Sequence, residues 1–138
     1  MGDTYVETRS FSKTDVLAFA SLTHDTNPMH CDEQYAESGR FGATVVHGML
    51  YASMFSAIVG TRFPGAVYVS QSLDFRKPVF LDDTVTATVT LQRIAAAGYV
   101  LDFSTSCVNQ KGDAVLLGEA RVLLSRKSVL SSRKRRAA

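Results

Sequence analysis

The sequence predicts an α+β domain in which an antiparallel sheet of about five strands curls around one long buried helix. Three observations predict it. Residues 45–59, VVHGMLYASMFSAIV, are apolar almost all round, and a helix without a polar face must be enclosed on most sides. Beyond Pro64-Gly65 the apolar period changes to two: Val85, Ala87, Val89 and Leu91 alternate with Thr84, Thr86, Thr88, Thr90 and Gln92, the signature of a half-buried strand. The strand-like segments there are joined by short connections, which make neighbours antiparallel.

The elements follow in order. Residues 5–11 read as a short strand. Ser12 caps the next helix, and Asp15 three positions on completes a capping box. Val16, Leu17, Phe19, Ala20 and Thr23 then keep helical spacing. Asn27-Pro28 starts a second helix, since Asn accepts from orphan N–H groups and Pro suits the first helical position; it should stop near Gly39. The long helix ends at Gly60. Gly48 near its start costs helix stability, which implies that some group approaches the backbone there. Residues 66–75, 84–92, 99–109 and 114–124 read as strands, with turns at Ala97-Gly98 and Lys111-Gly112-Asp113.

At 138 residues, 46% hydrophobic and 20% charged, the chain suits one domain with a full core. It has no internal repeat. The net charge of +2 hides an asymmetry. Arg126, Lys127, Arg133, Lys134, Arg135 and Arg136 are all in the last stretch, and no acidic residue follows Glu119. Residues 1–125 therefore hold nine basic against thirteen acidic residues, a net of −4. That balance argues against a nucleic-acid partner. The expected division is a domain at 1–125 and a basic, Ser-rich, disordered tail at 126–138. No apolar run is long enough to span a bilayer, and no membrane partner is expected. No targeting peptide is visible, which leaves the cytoplasm as the default compartment and mitochondrial delivery open. Cys31 and Cys107 do not form a disulfide framework. Cys107 is expected as a free buried thiol, and Cys31 is not expected to be a nucleophile.

The densest polar cluster is THDTNPMH, residues 23–30. Five residues separate Asp25 from His30, too far round a regular helix to share a face. The Asn27-Pro28 break removes that objection and lets a carboxylate and an imidazole converge on one water, a pair able to take and deliver protons. The plain alternative is that Asp25 caps the loop and His30 is a first-turn surface residue. A second cluster surrounds Gly48. Its N–H lies at the positive end of a helix dipole, where a thioester carbonyl would have its developing oxyanion stabilised; a tight packing contact would explain the glycine equally. His47 reads as a core histidine or a tie between the helix start and a neighbouring loop.

Three blocks in order, SLTHDTNPMHCDEQYA, VVHGMLYASMFSAIVG and QSLDFRKPVFLDDTV, resemble the MaoC-like (R)-specific enoyl-CoA hydratases. The resemblance covers roughly residues 10–125. It implies a hot-dog fold, a homodimer, and reversible syn hydration of trans-2-enoyl-CoA to (R)-3-hydroxyacyl-CoA in fatty-acid metabolism. It makes Asp25 and His30 the catalytic pair, has Asn27 shape their loop, gives the oxyanion contact to the Gly48 backbone, and puts Ser56 near the reaction centre. One departure stands out: many members carry glycine where this chain has His24.

The resemblance implies a coenzyme A or acyl carrier protein thioester as partner. No cofactor and no metal are expected, because the thioester carbonyl is already activated and Asp25, His30 and Asp32 form no recognised ligand set. Arg62, Arg76 or Lys77 would be the residues to meet coenzyme A phosphates. Two other readings remain, a hot-dog acyl-CoA thioesterase and a non-catalytic acyl-thioester-binding protein. A thioesterase would more often carry a carboxylate on the central helix, and residues 45–60 contain none.

Overall fold

The computed structural model describes residues 2–124. The expected basic tail, and the domain boundary at Ser125, lie outside them. Strand β1 (Thr4–Ser10) leads into helix α1 (Lys13–Thr23), then two short helices, α2 (Pro28–Cys31) and α3 (Glu33–Glu37), and the long helix α4 (Gly48–Arg62). Strands β2 (Val67–Gln71), β3 (Asp74–Phe75), β4 (Thr84–Ala95), β5 (Val100–Val108) and β6 (Ala114–Leu123) complete the chain. They form one antiparallel sheet in the order β1-β4-β5-β6-β2, with β3 also paired to β6. This is the expected sheet around a central helix.

The inward side chains follow the period-two reading. Val85, Ala87, Val89 and Leu91 of β4 are buried, as are Leu101, Phe103 and Cys107 of β5. They share one core with Tyr51, Met54, Phe55, Ile58 and Val59 of α4. The Ser12–Asp15 capping box forms in full: the Ser12 hydroxyl accepts from Asp15 N–H at 3.2 Å and the Asp15 carboxylate from Ser12 N–H at 3.0 Å. The second bond holds the Asp15 carboxyl below its ordinary pKa. Cys107 is a free, fully buried thiol, its pKa pushed up to about 12 by burial.

Several elements differ from the sequence reading, each for a local reason. The strand expected over 66–75 is broken into β2 and β3 at Ser72-Leu73, where Ser72 takes both backbone bonds with Glu119, its N–H donating to the carbonyl and its Oγ accepting from the amide, each at 2.9 Å. Gly118 permits this, because a Cβ there would collide with the Ser72 carbonyl. The helix expected from Pro28 to Gly39 is two helices, because Asp32 adopts an extended backbone and recaps the chain, its carboxylate accepting from Tyr35 N–H at 3.1 Å. Gly60 does not end α4. The helix runs on to Arg62 and stops ahead of Pro64, since a residue before proline is disfavoured in helical conformation.

Helix α4 is also less enclosed than its composition implies. In the single chain Met49, Ser53, Ser56, Ala57 and Gly60 make one exposed stripe. The sheet covers only the opposite face. Among the described residues no helix is long and apolar enough to cross a membrane.

Candidate active site

Asp25 stands in the loop after α1. The α1 helix ends at His24, whose backbone is left-handed at φ 65°. That conformation accounts for the glycine found at this position in many members of the resembling family, since glycine adopts it without steric cost and His is among the side chains that tolerate it. The Asp25 Oδ1 atom accepts from Asn27 N–H at 3.3 Å, and the Asn27 Oδ1 atom accepts from Met29 N–H at 3.1 Å, capping α2. Two consecutive side-chain turns thus carry the chain from Asp25 into the turn that bears His30. The Asn27 side chain thereby serves as the N-cap of α2.

His30 is half-buried. Its Nδ1 lies 2.6 Å from the Val45 carbonyl oxygen. A carbonyl only accepts, so Nδ1 carries the hydrogen, and in the neutral ring Nε2 is a free base. Burial holds the His30 pKa below its ordinary 6.5; the Val45 bond and the Asp25 charge oppose the shift, and neighbouring His47 adds to it. The segment that holds His30 is itself fixed, with Val45 N–H donating to the Met29 carbonyl and Val46 N–H to the Val79 carbonyl.

His47 completes the cluster. It is 1% exposed, and its Nε2–H donates to the Asp25 backbone carbonyl at 3.0 Å. This is the tie between helix start and loop that its position suggested. Nothing in the sequence spacing reveals its second contact: its ring stacks on His30 with centroids 4.0 Å apart and planes at 28°. Asp25, His30 and His47 each bring one polar atom to within 4.8 Å of the others, and between Asp25 and His30 that is a span a single bridging water covers with ordinary hydrogen bonds. The trio also has the residue types and mutual distances of a metal-ligand group. Asp32, the third ligand considered from sequence, is occupied in capping α3.

Gly48 is the first residue of α4, so its N–H has no partner within the helix. A Cβ there would lie 2.5 Å from Cε1 of Phe75, whose ring also meets Tyr51 edge-on at 6.0 Å. The close approach expected at Gly48 is therefore present, and Phe75 makes it. Ser56 belongs to the same long helix as Gly48. It lies on the exposed stripe of α4, about 12 Å along the axis from Gly48 at 1.5 Å per residue, and its hydroxyl donates to the Ser53 carbonyl at 3.0 Å. The suggested phosphate-binding side chains each have a neighbour within the chain. Arg76 pairs with Asp74 at 2.7 Å, Lys77 with Asp113 at 3.3 Å, and the Arg62 guanidinium lies over the Tyr5 ring at 5.8 Å. Cys31 makes no disulfide and is half-buried.

A sheet wrapped round a helix is the hot-dog fold of the solved (R)-hydratases, and the chain belongs to the MaoC like domain family of hydratases and dehydratases, which it matches over residues 3–105. Among individual proteins, it is 44% identical to a mitochondrial 3-hydroxyacyl-[acyl-carrier-protein] dehydratase of Arabidopsis thaliana, over 90% of this chain and 76% of that one. It is equally identical, 44%, to an (R)-specific enoyl-CoA hydratase of Rhodospirillum rubrum, over 84% and 81% of the two chains. The solved (R)-hydratase of A. caviae superposes with a TM-score of 0.86 at 37% identity, covering 90% of this chain and 96% of that one.

Proposed function

We propose that this protein is an (R)-specific enoyl-thioester hydratase, working reversibly as a 3-hydroxyacyl-thioester dehydratase, with Asp25 and His30 as its catalytic pair. The observation that carries the reading is the convergence of the Asp25 carboxylate and the His30 imidazole, its Nδ1 committed to Val45 and its Nε2 left as a base. In this reading the thioester carbonyl accepts from Gly48 N–H, which draws electrons from C3. A water held between Asp25 and His30 adds its oxygen to C3 and gives up one proton to the pair, which returns one to C2. Ser56, on the exposed stripe of the same helix, belongs in this reading to the substrate-binding residues. Relatives named for acyl carrier protein and for coenzyme A are equally similar, so both carriers belong to the proposed substrate class. The cytoplasm stays the default compartment, with mitochondrial delivery, as in two plant relatives named as mitochondrial, the alternative.

The functional unit of this reading is a homodimer. Strand β2 is a sheet edge and carries Val67 and Val69 at 59% and 51% exposure. An open apolar edge invites pairing, and a second copy on a two-fold axis would cover it and the exposed stripe of α4 together. A thioesterase reading is disfavoured by α4, which has no acidic residue to activate water for attack on the carbonyl.

Crotonyl-CoA and crotonyl acyl carrier protein test the reading. Loss of the enoyl-thioester absorbance without release of free thiol is the expected result. Thiol release would make the protein a thioesterase, and neither change would make it a binder. The acid limb of kcat/KM for hydration should fall below pH 6.5, because burial keeps His30 neutral to lower pH than an exposed histidine. A limb well above that value would show that neutral His30 is not the base.

A further inference from the structure

The structure assigns His47 a positioning role: one buried imidazole sets both the height of the Asp25 loop and the plane of the His30 ring. This rests on the proposed reading of the pair, and adds a residue that touches neither substrate nor water in it. Four segments meet on the His47 ring. Its Nε2–H holds the Asp25 carbonyl. One face supports the His30 ring at 4.0 Å. Phe19 of α1 packs on it edge-on at 4.9 Å. Its own backbone is the N-cap of α4, the residue before Gly48. Loop, base and oxyanion contact are thereby referred to a single rigid group.

The chemistry of the ring fits this use. Donation to a carbonyl requires hydrogen on Nε2, so in the neutral ring Nδ1 is an acceptor, and that atom is buried with no hydrogen-bond partner among the described residues. A buried polar atom left without a partner carries a desolvation cost. A phenyl or aliphatic side chain would avoid that cost and fill the same space, but could not donate to Asp25. The titratable groups in contact with the ring are Asp25, through its backbone, and His30. Displacement of a catalytic group by about 1 Å is enough to cost on the order of a hundredfold in rate.

The test compares His47→Phe, which keeps a ring but loses the donor, with His47→Gln, whose amide can reach the same carbonyl. In the Phe variant, kcat on crotonyl thioesters should drop about 10- to 100-fold with KM within about threefold, and Gln should recover most of it. Amide hydrogen exchange across residues 25–30, measured without substrate, should quicken in Phe and return toward wild type in Gln. Should the Phe variant fail to fold, His47→Asn, whose amide is too short to reach the carbonyl, replaces it. Unchanged exchange in the donor-less variant overturns the inference whatever the activity does. So does unchanged kcat in an active enzyme, or an equal loss in Gln and Phe. A wild-type protein that turns over no thioester, yet shows the expected exchange pattern, overturns the proposed function and leaves the positioning of the loop standing.

Discussion

Asp25→Asn and His30→Ala are each expected to lower turnover by about two to four orders of magnitude, as for the loss of a positioned acid or base. The double variant should be little worse than either single, because both groups serve one water. Neither change should unfold the protein. Asp25 is exposed, and an asparagine oxygen can still accept from Asn27 N–H. His30→Ala gives up the bond to the Val45 carbonyl, at a cost of about 1 kcal/mol. Rates measured on variants with near-native melting curves check both points. Near wild-type turnover in either single variant would remove that residue from the pair, and strictly additive losses would mean the two act in separate steps.

The second large effect is expected at Gly48. Gly48→Ala should cost about a hundredfold or more in kcat, the scale for losing one oxyanion donor, with little loss of stability. The added methyl would sit 2.5 Å from Phe75 Cε1. Phe75 is 46% exposed and its ring has room to swing, while alanine favours the helix over glycine by up to about 1 kcal/mol. The displaced ring and the methyl then crowd the N–H that the carbonyl needs. This separates the two explanations of the glycine. If Gly48 serves packing alone, the variant should melt earlier and keep its turnover; if it serves the carbonyl, it should melt normally and turn over slowly.

How much was legible beforehand follows from which interactions are local. The Ser12–Asp15 box, the Asn27 cap and the alternation of β4 each depend on residues a few positions apart, so the sequence displays them and the structure repeats them. Asp25 and His30 were readable because the Asn27-Pro28 break between them sets their convergence. The break of the expected 66–75 strand was not readable, since its cause is Gly118, more than forty positions away in sequence. The lock on His30 Nδ1 is likewise a bond to Val45 across a loop, and the His30–His47 stack joins the starts of two helices. Neither leaves a periodic trace. The exposed stripe of α4 has another basis: an apolar composition states that a face must be covered, and a chain this short leaves one side of its long helix hard to cover by itself.

The central claim is that one water, held by one Asp–His pair on one face of the substrate, adds across an enoyl thioester. Hydration of crotonyl-CoA in D2O tests it most directly, with the product analysed for configuration at C3 and for the position of deuterium at C2. The account predicts the (R)-3-hydroxybutyryl thioester with a single deuterium at C2 on the same face as the new hydroxyl. An (S) product, deuterium on the opposite face, or free coenzyme A in place of a hydroxyacyl thioester would contradict it.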